Sequence, residues 1–420
     1  MKKIAIIALL FVPLLTMAQK TWTLQQCVDT ALTNNRNIKQ KALNRKTSEI
    51  AYQQARLNLL PNLNASASQS WTFGRSQIQD GTYQNINSSN SSFNISSGLT
   101  LFDGLKMKYN IDARMAALKV SESELEKIRQ DIVLSVASAY LQVLLNKELM
   151  QIAVDQLELS KTKITQQKSL VVAGKMAEGE MYQLLAQQSQ EESSRVQAEN
   201  SLKLSLLDLA QILELKDFEK LDVVVPEDLM SNELQLLNPQ SVYEHAISHR
   251  PEVKGAEYQL QNSERNVLIA RSAYFPTLNF GVNVGGGYYN SVSTPISTSL
   301  GFDLRVPIFN KFETRNQVKT AQITVESNKL NVDNAKLELR KTVQQAYYNA
   351  LAAKAKWDAA SKSEVANKEA YRFTNQKYEG GRATVYELYQ AKNNLAQVES
   401  QVVQSKYEYI FRVKILELLK

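Results

Sequence analysis

Apolar residues recur every seven positions along a stretch of the chain that runs from residue 105 to residue 173. Leu118, Leu125, Ile132 and Ala139 form one row, and a second row is offset from it by four positions. Neither Gly nor Pro occurs in this stretch, so it can form a single helix of roughly 100 Å. A strict seven-residue repeat is typical of helices that pack in a left-handed supercoil. The two rows predict neighbours on more than one side, although an ordinary dimeric coiled coil shows the same repeat.

A second stretch without Gly or Pro, from residue 308 to residue 379, belongs to an internal duplication. Residues of the first half recur 215 positions later as far as Asn64 and 207 positions later from Phe102 onward. Matching residues are Ala31 and Ala246, Leu63 and Leu278, Tyr140 and Tyr347, and Gly174 and Gly381. The shift therefore falls between Asn64 and Phe102, and length differences are tolerated in exposed loops. We predict an outer loop at residues 75–92.

Each copy has the same predicted order of elements. A short helix and a medium helix precede two strands, a long helix, a Gly-containing turn and a last helix. The first repeat spans residues 19–213, with its strand pair at about 62–102, its long helix at about 105–173 and its last helix at about 177–213. A linker at residues 214–238, with a short strand at 221–225, leads to the second repeat. That repeat spans residues 239–420, with its strand pair at about 277–308, its long helix at about 311–379 and its last helix at about 383–419.

The predicted strands alternate between apolar and polar residues. In the first strand Leu63, Ala65 and Ala67 alternate with Asn64 and Ser66. Strands of about ten residues with this alternation and with aromatic ends fit the wall of a membrane β-barrel, although hairpins of a soluble sandwich look alike locally. The smallest membrane barrels have about eight strands. Four strands cannot close one, so the barrel interpretation predicts an obligate oligomer.

Composition and charge narrow the classes of function. The chain has 14 Gly and 8 Pro in 420 residues, well below the usual share, which indicates long helices. The net charge of +7 is dilute, and no basic stripe with interleaved aromatic residues points to nucleic acid. After the N-terminal region no run of 18 apolar residues occurs, so we expect no membrane-spanning helix.

The N-terminus has the pattern of a secretory signal peptide. Lys2 and Lys3 precede an apolar run, and small residues flank Met17, so we predict cleavage after residue 18. The single Cys of the chain, Cys27, falls inside a helical pattern. We expect it to be a buried small residue, and it leaves no partner for an intrachain disulfide.

The sequence offers little that is typical of an enzyme. The only two histidines, His245 and His249, lie four apart on a predicted helix, but the matching residues of the first repeat are Thr30 and Asn34. No motif supplies a further metal ligand. The glycine run at 285–287 lacks the Lys of a phosphate loop and the spacing of a dinucleotide site. We therefore predict no catalytic residue, no cofactor and no metal site.

The signal, the duplication, the strand pair before each long helix and the Gly-containing turn before each last helix together resemble the TolC-type outer membrane efflux proteins. The resemblance covers essentially the whole mature chain. It implies a mainly α fold with membrane β structure: a homotrimer whose twelve-stranded β-barrel in the outer membrane continues as a long periplasmic α-helical barrel.

The resemblance also implies a function and partners. The chain would be the outer membrane channel of a tripartite efflux or type I secretion system, a passive gated duct for small toxic compounds or proteins. Its partners would be outer membrane lipid, a periplasmic adaptor (membrane fusion) protein and an inner-membrane pump. The alternative is an exported structural coiled-coil protein or adhesin without channel activity, which would not explain the alternating strands.

In the family the tunnel closes at the turns between the long and last helices. Alignment on the Gly of each turn implies an acidic ring at Glu387, a corresponding acid at Glu180 and a linking tyrosine at Tyr378. Two positions depart from the family pattern, because Gln390 occupies the second acidic position and the linking arginine falls on Ala383. Carboxylates related by symmetry at such a constriction would favour cations. Ordinary solvated helix carboxylates would look the same in the sequence.

The same turns are the adaptor contacts that the resemblance implies. The residues concerned are Gly174, Lys175, Gly380, Gly381 and Arg382. Gly is expected where a helix must stop, so these residues are equally explained as plain helix-hairpin turns that need no partner.

Overall fold

The computed structural model describes residues 21–77, 81–85, 87–172, 177–216, 221–225, 236–290 and 292–420. The predicted signal peptide, Gly174 and Lys175 lie outside the described residues, as does most of the linker. The chain divides into two compact units. Unit 1 comprises residues 1–36, 129–242 and 342–420, and unit 2 comprises residues 37–128 and 243–341.

Most of the described chain is helical, and the two repeats have helices of matching length. The helices are α1 (Leu24–Asn34), α2 (Arg36–Leu57), α3 (Lys106–Val172), α4 (Glu178–Ile212), α5 (Pro239–His249), α6 (Pro251–Ser272), α7 (Glu313–Glu379) and α8 (Val385–Leu419). The strands are β1 (Thr21–Trp22), β2 (Asn62–Thr72), β3 (Arg75–Gln77), β4 (Tyr83–Asn85), β5 (Ser88–Phe102), β6 (Asp222–Val223), β7 (Thr277–Tyr289) and β8 (Val292–Arg305). Both α3 and α7 have 67 residues, and both α4 and α8 have 35.

One helix among the described residues, α3, is long and apolar enough to cross a membrane. An 18-residue window within Lys106–Ser169 reaches a mean hydropathy of 1.2. The sequence had led us to expect no such helix, because it contains no unbroken run of 18 apolar residues after the N-terminal region. Val136, Tyr140 and Val143 of α3 are fully buried within the protein. A buried core helix meets the same length and composition criteria, so this helix is weak evidence for a membrane span.

The main sheet of unit 2 is antiparallel, with the strand order β2-β5-β7-β8. Its polar face contains Asn64 paired with Ser96 and Asn283 paired with Ser299. On the other face the side chains are apolar; for example, Phe280 and Phe302 pair with ring centroids 5.1 Å apart. The edge strands β2 and β8 are exposed along their whole length.

The outer loop predicted at residues 75–92 is wrong in part. Within this segment β3 pairs with β4, and β5 already begins at Ser88. The Ser- and Asn-rich residues extend the strand because they bond to polar residues of β2: Gln69 Nε2 donates to Ser89 Oγ at 2.8 Å, and the hydroxyls of Ser68 and Ser92 are 2.7 Å apart. Polar composition alone therefore misidentified strand as loop.

In unit 1, α3 is fixed to the short parallel pair β1–β6. The Tyr140 hydroxyl lies 3.0 Å from the Trp22 carbonyl oxygen and 2.5 Å from that of Val224. Helix α1 begins with a capping box between Thr23 and Gln26. Cys27 of α1 is fully buried, and burial raises the pKa of its thiol to about 12.

The joint between β5 and α3 requires Gly104. This residue has φ +70°, and a Cβ there would lie 2.7 Å from the Ser272 carbonyl oxygen and 2.8 Å from the Phe275 Cβ. We predict that Gly104→Ala lowers the free energy of unfolding by about 1–3 kcal/mol because of backbone strain and this contact. Thermal unfolding in detergent measures the loss. Gly281→Ala is the matched control, because a Cβ there meets nothing within 4 Å; equal stability of the two variants would contradict the prediction.

Candidate functional site

The turn between α7 and α8 is closed by backbone hydrogen bonds. The Arg382 N–H donates to the Lys377 carbonyl at 2.8 Å, and the Gly381 N–H donates to that of Tyr378 at 3.0 Å. Together with φ +68° at Gly381, this is the Schellman motif that ends many helices. Gly380, Gly381 and Arg382 are exposed. The turn therefore offers an accessible surface of fixed backbone geometry.

Glu387 takes part in the N-terminal cap of α8. The Thr384 N–H and hydroxyl both donate to Glu387 Oε2, at 2.7 and 3.0 Å, and the Glu387 N–H donates to Thr384 Oγ1 at 3.2 Å. The bonds from Thr384, first from its backbone N–H, hold the pKa of Glu387 below its usual value. Glu387 and Gln390 are both exposed. Position 387 thus presents a carboxylate that is charged at neutral pH and fixed in direction by its cap.

A small apolar cluster joins the helices next to this turn. Its buried members are Leu184, Val385 and Tyr389, and its half-buried members are Ile164, Met181 and Tyr378. These residues come from α3, α4, α7 and α8. The cluster therefore holds the ends of both helix pairs together by the burial of apolar surface.

The structure brings Tyr378 of α7 into the neighbourhood of Glu180 on α4. Burial raises the pKa of Tyr378, and the negative charge of Glu180 adds to the effect. The adjacent Glu379 receives a hydrogen bond from Lys163 of α3 at 3.3 Å. The predicted linking tyrosine thus lies where the two repeats meet inside unit 1.

A buried ion pair that the sequence analysis missed connects α8 to α3 and α4. Lys392 Nζ donates to Glu191 Oε1 at 2.9 Å, to Ser160 Oγ at 2.6 Å and to the Gln156 carbonyl at 3.0 Å. The two charged side chains are 5% and 10% exposed. Burial lowers the pKa of Lys392, and Glu191 opposes that effect. Lys392 is thus a buried cation that ties α8 to α3 and α4, whereas the position of the linking arginine in the family pattern is Ala383.

One signal in the sequence points to this pair. Lys392 follows Val385 by seven residues and lies between Leu388 and Leu395, which are all buried. Glu191 likewise follows the buried Leu184 by seven. A lone charge at an apolar position of a seven-residue repeat is a known device for fixing helix register.

Within the described ranges, His, Cys, Asp and Glu side chains do not gather in the groups of three that would hold a metal ion. The rings of His245 and His249 stack at 4.3 Å on α5. His249 Nδ1 lies 2.9 Å from the His245 carbonyl oxygen, so this nitrogen is engaged with the helix backbone. The two imidazoles of α5 therefore contact each other and the helix backbone.

The sequence matches the family described as outer membrane efflux protein over residues 27–214 and 242–417. The chain belongs to this family. The match covers both repeats, so the resemblance noted from the sequence is confirmed. Family membership makes the protein an outer membrane efflux channel, located in the outer membrane with a large periplasmic part.

Individual relatives support the assignment of the chain to this family. The chain is 23% identical over 401 residues to toxin and drug export protein A of Aggregatibacter actinomycetemcomitans, covering 92% of this chain and 83% of that protein. It is 23% identical over 414 residues to the outer membrane protein TolC of Vibrio cholerae, covering 95% and 91%. A membrane protein from Pseudomonas aeruginosa has the same fold, with a TM-score of 0.82, 18% identity and coverage of 94% and 92%. The predicted mainly α fold with a long helical region is confirmed.

The buried ion pair yields a stability prediction. Lys392→Met removes the ammonium and leaves the Glu191 carboxylate buried without its cation, so the free energy of unfolding should fall by about 3–5 kcal/mol. The double variant Lys392→Met with Glu191→Met should regain most of that loss, because replacing both charges is often neutral. Denaturant unfolding in detergent compares the two.

An exposed pair is the control for this experiment. Lys414 lies 2.7 Å from Glu417, with side chains 38% and 40% exposed, and Lys414→Met should cost about 0–1 kcal/mol. A Lys392→Met protein as stable as Lys414→Met would show that the buried pair contributes no more than a surface one.

Proposed function

We propose that three copies of the chain close one twelve-stranded β-barrel in the outer membrane and continue as a periplasmic α-helical barrel. The supporting observation is the four-stranded sheet, whose edge strands β2 and β8 carry 11 and 14 residues. In a bilayer the backbone groups of such edges must be paired, so open sheets do not span membranes. Three sheets of four strands satisfy that requirement when they are joined edge to edge.

The faces of the sheet support the same assembly. Leu63, Phe302 and Ile296 are between 72% and 81% exposed, and they lie on strands whose other face is lined by Asn, Ser and Gly. Trp71 and Tyr288 are exposed near the hairpin ends, where membrane barrels place aromatic girdles. The apolar face would contact lipid and the polar face would line the duct. A structural coiled-coil protein without channel activity would have no use for such a sheet.

The proposed gate lies at the helix ends described above. In a trimer, Glu387 and Glu180 would each form a ring of three carboxylates, which would favour cations. Gln390 would contribute a neutral ring. Tyr378 would link the repeats in the closed state. Opening would be a rotation or untwisting of helix pairs, a two-state change between packed arrangements.

The Lys392–Glu191 pair limits which part of α8 can move in that change. Lys392 is bonded to both α3 and α4, so the pair fixes α8 near its N-terminal end. Between Gly381 and Lys392, the contacts are those of the apolar cluster of Leu184, Val385 and Tyr389 and of the N-terminal cap of α8. Gating would therefore be confined to these ends.

The proposed partners follow from the two turns between the long and last helices, of which the structure describes the one between α7 and α8 as exposed. Gly380, Gly381 and Arg382, together with Gly174 and Lys175, would contact a periplasmic adaptor protein that links the channel to an inner-membrane pump. The pump would supply the energy, because the duct is passive and has no catalytic role. Small toxic compounds or proteins are the proposed cargo, supported by the relative named toxin and drug export protein A.

The assembly has a direct test. Purified protein should require detergent for extraction, run as a compact oligomer of three chains, and shift to the monomer position after heating. Multi-angle scattering corrected for detergent gives the chain number, and planar bilayers give the conductance. A monomer that stays in solution without detergent would overturn the channel assembly.

The gate has a separate test in single-channel recordings. We predict that Glu387→Gln reduces cation preference while it keeps an oxygen to cap Thr384, whereas Glu387→Ala also removes the cap and raises the open fraction. Tyr378→Phe should raise the open fraction and leave cation preference unchanged, because it removes only a hydroxyl. Glu338→Gln, at an exposed residue of α7, is the control. Recordings from all variants that match the wild type would count against the gate residues.

A further inference from the structure

The two imidazoles of α5 are groups that neither the channel nor its gate uses. His245 and His249 are the only histidines of the chain, and both are exposed near the C-terminal end of α5. They lie four positions apart, so they share one face of the helix. At the offset of 215 residues the first repeat has Thr30 and Asn34. The fold that the two repeats share therefore does not require a pair of histidines here.

The hydrogen bonds of His249 determine which of its ring nitrogens carries the proton. Its Nδ1 lies 2.9 Å from the His245 carbonyl oxygen, and a carbonyl oxygen can only accept, so Nδ1 is the donor. The Ser248 hydroxyl donates to the same carbonyl at 3.0 Å, so its oxygen, 2.8 Å from Nδ1, is an acceptor as well. In the neutral ring the lone pair is therefore on Nε2.

This arrangement is the one in which proteins commonly hold a metal-binding histidine. One ring N–H donates to a backbone carbonyl, which fixes the tautomer and the ring orientation, and the other nitrogen is left to bind the ion. In His249 the carbonyl is that of His245, one helical turn earlier. The helix backbone itself thus prepares His249 as a ligand through Nε2.

The second imidazole lies against the first. The ring centroids of His245 and His249 are 4.3 Å apart, and the ring planes differ by 12°. Two nitrogens that bind one Zn²⁺ at 2.0–2.1 Å in tetrahedral geometry lie roughly 3.3 Å apart. The separation of the rings is close to this distance, and rotation of the exposed His245 side chain can bring a nitrogen of each ring to one ion.

Such a pair differs from the metal sites whose absence the sequence predicts. Structural zinc sites have four protein ligands and catalytic ones have three, and the part of the chain that the structure describes has no group of three His, Cys, Asp or Glu residues. Two imidazoles attach an ion at two positions and leave the others to water. Imidazole suits Zn²⁺, Ni²⁺ and Cu²⁺, of which Cu²⁺ binds most tightly, whereas Mg²⁺ takes oxygen ligands.

The charge next to the pair is compensated. Arg250 follows His249 directly, but its Nε and one of its terminal nitrogens both lie 3.0 Å from Glu252 Oε1 and donate to it. The positive charge of the guanidinium is therefore balanced by a carboxylate. A divalent ion at His249 does not meet an uncompensated cation at the adjacent residue.

We propose that His245 and His249 form a bidentate surface site for a divalent late transition-metal ion, with Cu²⁺ bound most tightly and water completing the coordination. Each chain carries one such site. All contacts that define it lie within α5, so the inference depends neither on the trimer nor on the gate.

Metal titration of the detergent-purified protein without an affinity tag tests the site. Calorimetric titration with Cu²⁺ near neutral pH should show one tight site per chain, and Mg²⁺ should give no binding. His245→Gln and His249→Gln should each weaken Cu²⁺ binding by about a hundredfold, because one imidazole alone loses the effective concentration that the second attachment supplies. Cu²⁺ should also raise the thermal unfolding temperature of the wild type, because it binds the folded helix.

A variant that keeps the number of histidines is the matched control. His249→Gln with Gln259→His leaves two histidines in each chain but places the second at an exposed position of α6, where it cannot share an ion with His245. This variant should bind Cu²⁺ as weakly as His249→Gln alone. Retention on an immobilised Ni²⁺ resin gives a second readout, with the wild type eluting at a higher imidazole concentration than all three variants.

The outcomes decide the inference without reference to channel activity. Wild-type protein that binds no Cu²⁺, or single variants and the relocated pair that bind it as tightly as the wild type, would overturn the site. All substituted positions are exposed, and circular dichroism of each metal-free variant should match that of the wild type, which assigns a loss of binding to the missing imidazole.

Discussion

The backbone hydrogen bonds at the two edges of the sheet are the constraint on which the rest of the structure depends. An unpaired backbone group in hydrocarbon costs several kcal/mol, and β2 and β8 together expose 25 residues of edge, from the 11 and 14 residues of the two strands. The internal duplication pairs one edge of each two-stranded repeat, because β5 and β7 pair with each other within the chain. In the proposed trimer, further copies pair the edges β2 and β8.

The helical part follows from the same arrangement. Each long helix follows a strand after a short joint, so the helices of unit 2 have the same neighbours as its strands. The joint between β5 and α3 is tight, because Gly104 passes close to the end of α6. In unit 1 the long helices are fixed by polar anchors inside apolar surroundings. The Tyr407 hydroxyl donates to Glu148 at 2.6 Å, and Lys392 binds Glu191 nearer to the turn. Toward the turn between α7 and α8, the helices are held by the apolar cluster of Leu184, Val385 and Tyr389, and we propose the gate there.

The sequence predicts the large elements well because their signals are periodic. Seven-residue rows place α3, the internal duplication and the absence of Gly and Pro place α7, and period-two alternation places β2, β5, β7 and β8. The sequence did not predict the short hairpin of β3 and β4, because a composition rich in Gln, Asn and Ser occurs both in loops and in solvated strands. The sequence did not predict the Lys392–Glu191 pair, because a single charged residue in a helix is usually solvated and both side chains are buried only after α3, α4 and α8 pack. The gate residues depend on a family resemblance, because no local pattern distinguishes Glu387 from other exposed carboxylates.

The contact between the two repeats inside the chain and the exposed surfaces at equivalent positions differ in the size of their residues. Inside the chain the contact is made by small residues, with Ala116, Ser123 and Gly255 letting the helix backbones approach closely. Their counterparts on the exposed surfaces are Ile323, Leu330 and Gln40, which are larger. Two copies that associate lose translational and rotational freedom that a covalent chain does not lose, and larger apolar side chains bury more area to offset that loss. In the proposed trimer, the larger residues would therefore supply the additional buried area that a contact between separate chains requires.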